Sequence, residues 1–132
     1  MNTTCRKVFV VEDDSVAREA VAAILRGHGF DVQTAPDGQA ALHLMSSGPP
    51  PDVIVLDMMM PNVDGWQFLR KFNQLDPHPR PWIIIASGAP AIGREWAADV
   101  GCGGFLRKPI DADELVDEMR RCVSQTVEMP LV

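Results

Sequence analysis

Acidic residues end two of the most apolar runs in the chain. Glu12, Asp13 and Asp14 follow KVFVV without a spacer, and Asp57 closes the run DVIVLD. Adjacent carboxylates repel one another, which costs free energy unless a cation binds among them or one of them stays protonated. Magnesium ions prefer one or two carboxylates and complete their shell with water and phosphate oxygens. These residues therefore indicate a Mg²⁺ site that handles phosphate groups.

Two further polar residues end strand-like runs and suit the same chemistry. Ser87 closes PWIIIAS, and Lys108 closes GGFLRK. A phosphoryl group in transfer carries negative charge on its equatorial oxygens, which an ammonium group and a hydroxyl donor stabilise. Asp57 is ionised at neutral pH and needs no general base to attack phosphorus, so it could form an aspartyl phosphate. Singly, a serine here is usually a turn former and a lysine is usually solvated.

The chain alternates between strand-like and helix-like segments. Short runs rich in valine and isoleucine predict buried strands, and apolar residues at helical spacing predict helices between them. The predicted strands are residues 7–11, 30–35, 52–57, 81–87 and 103–108. The predicted helices are residues 15–27, 65–75, 91–100 and 111–126, with another that opens at Asp37-Gly38 and stops at the Ser-Ser-Gly-Pro run. The segment 91–100 is a weak helix because Pro90 precedes it and Gly93 lies in its first turn.

Each predicted helix turns one apolar face inward, and acidic residues mark two of the helix starts. Asp14 is expected to cap the first helix, and Asp111 with Glu114 has the spacing of a capping box. The residues expected to face inward are Val16, Ala20, Ile24 and Leu25 in the first helix, Trp66, Leu69 and Phe72 in the third, and Leu115, Met119, Cys122 and Val123 in the last.

Five strands alternating with five helices predict an α/β fold, a doubly wound parallel sheet covered on both faces. The most apolar strands belong in the centre, which with right-handed crossovers favours the flavodoxin-like order 2-1-3-4-5. Ligands in such sheets bind beyond the carboxyl ends of the strands where the strand order reverses, here between strands 1 and 3. This edge collects Glu12, Asp13 and Asp57, with Ser87 and Lys108 nearby. Their convergence favours a functional site over unrelated structural roles.

Four motifs at these positions resemble the receiver domain of bacterial two-component response regulators. They are FVVEDD (9–14), VLDMMMPNVDGWQFL (55–69), IIIASG (83–88) and FLRKP (105–109). The resemblance covers nearly the whole chain, and the strand-ending Asp followed by MPxxDG is its most specific motif. We therefore expect residues 1–126 to form a receiver domain and residues 127–132 a C-terminal tail.

The resemblance implies a role for each site residue. It implies that the domain takes a phosphoryl group with the help of Mg²⁺ and switches its surface in response. The implied roles are Glu12 and Asp13 as the metal-binding acid pair, Asp57 as phosphoacceptor and metal ligand, the main-chain carbonyl of Met59 as a further metal ligand, Ser87 as switch hydroxyl, Phe105 as switch aromatic, Lys108 as the lysine that pairs with the phosphoryl group, and Pro109 as the residue after a cis peptide bond.

Several positions depart from the commoner residues of that family. Glu12 stands where many relatives have Asp, Ser87 where Thr is commoner, and Phe105 where Tyr is commoner, so a switch through a phenolic hydroxyl is excluded. The resemblance implies that Met59 and Ala89 occupy the two positions best placed to orient a hydrolytic water. Neither side chain forms a useful hydrogen bond, so self-dephosphorylation is expected to be slow.

Composition restricts the other possibilities. A chain of 132 residues, 46% of them hydrophobic, is expected to form one soluble domain. The net charge of −6 argues against a nucleic-acid surface. The three cysteines lack metal-binding spacing, which fits a reducing cytoplasm. No run approaches the length of about 18 apolar residues that a membrane span needs.

The expected partners follow from the resemblance. The phosphodonor would be a sensor histidine kinase or a histidine phosphotransfer protein. A downstream effector or a second copy of the chain would bind the surface formed by residues 91–100, strand 5 and the last helix, through Trp96, Arg107 and Arg120. No enzymatic activity is expected beyond self-phosphorylation and slow self-dephosphorylation.

Three alternatives remain at this point. The first is a small Mg²⁺-dependent phosphatase that forms an aspartyl phosphate, although such enzymes need a second acid at position 59, where this chain has Met. The second is a degenerate receiver that only binds partners. The third is a flavin-binding protein, which would need a loop rich in Ser, Thr or Gly after the first strand.

Overall fold

The structure is a computed structural model that describes residues 6–58 and 64–127, with side chains through residue 124. The strands are β1 (Lys7–Val11), β2 (Asp31–Ala35), β3 (Val53–Asp57), β4 (Trp82–Ser87) and β5 (Gly104–Arg107). The helices are α1 (Ser15–Gly27), α2 (Gly38–Ser46), α3 (Gly65–Leu75), α4 (Arg94–Asp99) and α5 (Ala112–Val127). The strands form one parallel sheet in the order β2-β1-β3-β4-β5. The predicted fold class and strand order are confirmed.

The core lies in two layers, one on each face of the sheet. Side chains alternate between the faces along each strand, so Phe9 and Val11 face one layer while Val8 and Val10 face the other. The first layer packs against α2, α3 and α4, and the second packs against α1 and α5. The central strand β3 is buried along its whole length, which explains its continuous apolar sequence.

Aspartates precede the described helices that follow the sheet's carboxyl edge, except α4, whose N-cap is Gly93. The Asp14 carboxylate accepts a hydrogen bond from Ala17 N at 3.2 Å, so this residue caps α1 as predicted. Asp64 forms a reciprocal capping box with Gln67 at the start of α3. Asp111 accepts from the Glu114 amide at 3.1 Å ahead of α5. These caps fix the directions in which the chain leaves the edge of the sheet where the acidic residues lie.

The inward face of α1 differs from the prediction by one position. Val16 is 77% exposed, and Ala20 is also exposed. The buried residues of this helix are Val21, Ala22 and Leu25. The prediction was wrong because two apolar rows one residue apart run along this helix, and only contact with the sheet decides which one is buried.

The third helix also differs in one residue, and the fourth is shorter than predicted. Trp66 is 49% exposed, because Phe68, Leu69 and Phe72 already fill the inward face of α3. Its ring instead packs edge-on against Trp96 of α4, with 4.9 Å between the ring centroids. The helix predicted at 91–100 is reduced to α4, whose N-cap residue Gly93 offers no side-chain hydrogen bond.

Two remaining observations concern the surface. The three histidines, His28, His43 and His78, are exposed, as expected of surface residues. Within the described part of the chain, every helix is too short or too polar to cross a membrane.

Candidate functional site

The carboxyl edge of the two central strands brings three carboxylates together. Glu12 follows β1 directly, and Asp57 is the last residue of the adjacent strand β3. Glu12 and Asp57 are only 5% and 4% exposed, whereas Asp13 is exposed. One oxygen from each of the three carboxylates lies within 4.8 Å of the others. The predicted acid cluster therefore exists, at the predicted reversal of strand order.

Backbone and side-chain hydrogen bonds hold the loop that carries the acid pair. The Glu12 amide donates to Ala35 O of β2 at 3.0 Å, and the Asp14 amide donates to Glu12 Oε2 at 3.2 Å. Arg18 of α1 reaches back and donates to the Glu12 carbonyl at 2.9 Å. Because the loop is fixed from β2 and α1, the Glu12 carboxylate has a defined position beside Asp57.

Lys108 places its ammonium group between the buried carboxylates. Its Nζ lies 2.6 Å from Glu12 Oε1 and 3.4 Å from Asp57 Oδ1. Burial by itself would lower the pKa of Lys108, but the hydrogen bond with Glu12 and the charge of Asp57 outweigh it, and the pKa is raised. The lysine is therefore protonated at neutral pH. Its peptide bond to Pro109 is cis, as the resemblance implies.

Ser87 lies beside the acid site on β4, and Phe105 lies on β5, the next strand outward. Asp57 pairs with Ala86 in the sheet, so Ser87 stands one residue beyond it on the neighbouring strand. Ser87 is 1% exposed, and its hydroxyl accepts a hydrogen bond from Ala89 N at 3.0 Å. Phe105 is half-buried and pairs with Ile85 in the sheet. Met59, the remaining predicted site residue, lies outside the described residues.

The donor set fits a magnesium ion. All three clustered side chains offer carboxylate oxygens, the ligands that Mg²⁺ prefers, and the described cluster contains no sulfur or imidazole ligand. Two of the carboxylates are buried close together, where a divalent cation would relieve their mutual repulsion. Lys108 alone offsets only one of the negative charges.

A mostly apolar groove of about 350 Å³ adjoins the acid site. Glu12 and Lys108 line the groove at the site itself, while α1 and the segment after β5 supply the apolar walls. Its apolar lining residues are Ala17, Ala20, Val21, Ile24, Pro109 and Ile110. The exposed side chain of Val16 continues the apolar surface of α1.

Sequence reasoning missed a further buried carboxylate outside the acid site, that of Glu118 of α5, which is 6% exposed. Its carboxylate accepts two hydrogen bonds from Arg94, at 3.0 and 3.1 Å, two from Arg121, at 3.2 and 2.9 Å, and one from Phe105 N at 2.9 Å. Arg121 also donates to Gly103 O. Burial would raise the pKa of Glu118, but the arginines and the Phe105 amide lower it to about 2. The cluster ties α4, β5 and α5 together.

Gly104 of β5 leaves room for the buried carboxylate of Glu118. A Cβ on Gly104 would lie 3.0 Å from a Glu118 carboxylate oxygen and 2.6 Å from the Ile84 side chain. A side chain there would keep Glu118 away from the strand. The sequence offered two signals for this contact. One is a glutamate among the apolar residues Leu115, Met119 and Cys122 of the last helix, and the other is the pair of consecutive glycines at the start of the fifth strand segment.

Comparisons with known proteins agree with this geometry. A family model described as the response regulator receiver domain matches residues 8–120. The alkaline phosphatase synthesis transcriptional regulatory protein SphR of Synechococcus elongatus is 33% identical over an alignment of 138 positions, and the match covers 96% of this chain and 53% of SphR. Response regulator MprA of Mycolicibacterium vanbaalenii is 32% identical over 120 residues, which cover 91% of this chain and 51% of MprA. The chain spans about half the length of these relatives.

Solved structures share the fold over nearly their full length. The chemotaxis response regulator CheY4 of Vibrio cholerae has a TM-score of 0.80 and 28% identity, and the match covers 90% of this chain and 99% of CheY4. The receiver domain of the Francisella response regulator 1452 has a TM-score of 0.81 and 29% identity, with 92% and 98% covered. The described sheet and helices therefore correspond to one complete receiver fold.

Proposed function

This chain belongs to the response regulator receiver domain family, and we propose that it accepts a phosphoryl group on Asp57 from a sensor histidine kinase or a histidine phosphotransfer protein. The observation that carries the proposal is the convergence of Glu12, Asp13 and Asp57 with Lys108 at the reversal point of the sheet. No separate general base is required there, because a carboxylate is already a nucleophile when ionised.

The proposed role of the acid pair, Glu12 and Asp13, is to bind Mg²⁺. Glu12 and Asp13 would bind the ion together with one oxygen of Asp57, and the carbonyl of Met59 is a further proposed ligand. Bound there, Mg²⁺ supplies positive charge that neutralises the phosphoryl oxygens. Asp57 keeps its second oxygen for attack.

The proposed step is an in-line transfer. An Asp57 oxygen forms a bond to phosphorus as the bond from phosphorus to the donor's histidine nitrogen breaks. The electron pair of that bond returns to the ring, whose other nitrogen already carries a proton, so the ring leaves as neutral imidazole. Lys108 Nζ lies 3.4 Å from Asp57 Oδ1, so its ammonium group would be within reach of the oxygens of a phosphoryl group bound to that carboxylate. Charge stabilisation and positioning account for most of the catalysis in such transfers.

The groove beside the acid site supports docking of the phosphodonor. Its walls on α1 and the segment after β5 are apolar, and it opens beside Glu12 and Lys108. Burial of apolar surface provides affinity. A partner seated there would present its phosphohistidine at the carboxyl edge of the sheet. The exposed Val16 side chain adds to the surface available for that contact.

The proposed output is a change in the face formed by α4, β5 and α5, called here the α4-β5-α5 face. A phosphoryl group adds nearly two negative charges, which would attract the Ser87 hydroxyl and leave space for Phe105 to rotate inward. The surface around Trp96, Arg107 and Arg120 would then change its affinity for a downstream effector or a second copy of the chain.

The signal is proposed to persist. Hydrolysis needs a water molecule held in line with phosphorus. Ala89 is half-buried beside Ser87 and its side chain forms no hydrogen bonds, and Met59 is the other residue proposed to border the phosphoryl group. Slow self-dephosphorylation would leave an external phosphatase or reverse transfer to end the signal. The phosphatase alternative is not favoured, since the family match covers most of the chain.

Phosphorylation by a small donor tests the proposal. Incubation with Mg²⁺ and acetyl phosphate should add one acid-stable, base-labile phosphoryl group, which intact-protein mass spectrometry detects. Asp57→Asn should abolish the addition, and chelation of Mg²⁺ should suppress it. The matched control is Asp31→Asn, which changes an exposed aspartate at the start of β2 and should be phosphorylated like the parent. Normal phosphorylation of the Asp57→Asn variant would refute the proposal.

A further inference from the structure

Arg107, the last residue of β5, bridges two parts of the molecule that the proposed switch must move. Its Nη1 donates to Ala89 O at 2.6 Å and to Ser87 O at 3.4 Å. Its guanidinium also lies over the Phe105 ring, 4.8 Å from the ring centroid. One exposed side chain therefore connects the loop after β4 with the aromatic ring of β5.

The same side chain reaches the start of α4. A Cβ added to Gly93, the N-cap residue of that helix, would lie 3.7 Å from Arg107 Nη2. Arg107 contacts mainly a loop, an aromatic ring and a helix start, and it is exposed to solvent. It therefore contributes little to the hydrophobic core, and its contacts belong to the arrangement of the α4-β5-α5 face.

Each movement of the proposed switch removes contacts of Arg107. Displacement of Ser87 toward Asp57 would draw the carbonyl of Ser87, and that of Ala89 in the loop after β4, away from the guanidinium. Rotation of Phe105 into the vacated space takes the ring from beneath the same group. Hydrogen bonds from a charged donor and a cation–π contact are both favourable in the arrangement seen here. A state that gives them up is disfavoured by their combined free energy.

We propose that Arg107 is a positioning residue that holds Ser87 and Phe105 in the resting arrangement and makes the two move together. This inference rests on the proposed function, because it assigns Arg107 a regulatory role in the same switch. Removing the side chain favours the activated arrangement before any phosphoryl group binds.

The expected change in the equilibrium between the resting and activated arrangements follows from the solvent exposure of the Arg107 contacts. A partly exposed hydrogen bond from a charged donor is screened by water, so its loss should change the equilibrium by about fivefold. A ligand that binds only the activated arrangement gains affinity in proportion to the population of that arrangement. Arg107→Ala should therefore bind beryllofluoride, a phosphoryl mimic, about fivefold more tightly in the presence of Mg²⁺.

The experiment titrates beryllofluoride into the parent and the Arg107→Ala variant and follows backbone amide resonances by NMR. The resonances of Ala89 and Phe105 in the unliganded variant should lie part of the way toward their beryllofluoride-bound positions. Arg107→Lys, which keeps the charge but loses the planar guanidinium, should fall between the parent and Arg107→Ala. A merely structural role would not move the unliganded resonances along that path.

Arg26→Ala is the matched control. Arg26 is likewise an exposed arginine that donates to a backbone carbonyl, Val32 O at 3.0 Å, but this contact joins α1 to β2 at the other edge of the sheet. Its removal should leave beryllofluoride affinity within about twofold of the parent.

The outcomes separate this inference from the proposed function. Tighter binding of beryllofluoride by Arg107→Ala, with its unliganded resonances shifted, supports the proposal that Arg107 restrains Ser87 and Phe105. A parent that responds to beryllofluoride, beside an Arg107→Ala variant of equal or weaker affinity, overturns the restraint and leaves the proposed function standing. A parent that fails to bind beryllofluoride with Mg²⁺ overturns both.

Discussion

Replacement of Glu118 by glutamine should destabilise the protein and loosen the α4-β5-α5 face. Glutamine keeps the size of the side chain and an oxygen that accepts from the Phe105 amide. It removes the negative charge that Arg94 and Arg121 share. Because the Glu118 carboxylate is buried, its neutralisation leaves two arginine charges without a counter-charge where water screens them poorly, and this destabilises the folded protein.

The magnitude follows from the pKa of Glu118, which lies at about 2 against an ordinary value of 4.5. Each pKa unit corresponds to about 1.4 kcal/mol of differential interaction, so the shift amounts to about 3 kcal/mol. The side chains of Arg94 and Arg121 are 56% and 38% exposed, and water screens their charges. We therefore expect Glu118→Gln to lower the free energy of unfolding by about 2 kcal/mol at pH 7.

The stability lost in the Glu118→Gln variant should be smaller at low pH than at neutral pH. The pKa of Glu118 is lower in the folded protein than in the unfolded chain, so its stabilisation is fully present above pH 4.5 and is lost as the pH falls toward about 2. At pH 3 the parent has lost part of this contribution, and the difference between parent and variant should shrink to about 1 kcal/mol.

Urea unfolding followed by tryptophan fluorescence at pH 7 and pH 3 measures both differences. The control is Glu19→Gln, which removes an exposed carboxylate 3.9 Å from Arg18 and should change the unfolding free energy by less than about 0.5 kcal/mol. A Glu118→Gln variant as stable as that control at pH 7 would refute the reasoning. An equal loss at both pH values would show that the charge is not the cause.

Three further predictions concern the site and the thiols. Lys108→Ala should still take a phosphoryl group from acetyl phosphate, but amide exchange in the α4-β5-α5 face should no longer change on phosphorylation; a response like that of the parent would contradict the role of Lys108. Ala89→Glu and Met59→Asn should each lose the phosphoryl group several-fold faster than the parent, because each adds a side chain able to orient water, and unchanged rates in both would contradict the proposed persistence. Burial raises the pKa of Cys102 and of Cys122 to about 11, so neither thiol should be alkylated by iodoacetamide at pH 8 before the protein unfolds in urea; rapid alkylation of either in the native protein would contradict its burial.

Much of the fold could be predicted because strand and helix signals in this chain are local. The run VIVLD predicted a buried central strand, and the structure buries every residue of it. Chain alternation and crossover handedness then determined the order of the strands. The acid cluster could be predicted from the same information, since Glu12 and Asp57 are placed by the strands that precede them.

The errors arose where two local patterns competed. Val16 and Val21 belong to different apolar rows of α1, and only contact with the sheet buries one of them. Helical spacing groups Trp66 with Leu69 and Phe72, but Phe68 takes the inward position instead. Glu118 was missed because its partners come from three elements, and no local pattern reports a contact that depends on how helices and strands approach each other.

The central claim is that Asp57 carries the phosphoryl group, and borohydride reduction identifies the phosphorylated residue directly. Sodium borohydride reduces the acyl phosphate of an aspartate to the alcohol, which leaves homoserine at the modified position. After phosphorylation with acetyl phosphate and Mg²⁺, peptide sequencing by mass spectrometry should find homoserine at position 57, with Glu12 and Asp13 unchanged. Homoserine at another aspartate, or a phosphoryl group retained on His28, His43 or His78 with Asp57 intact, would contradict the account.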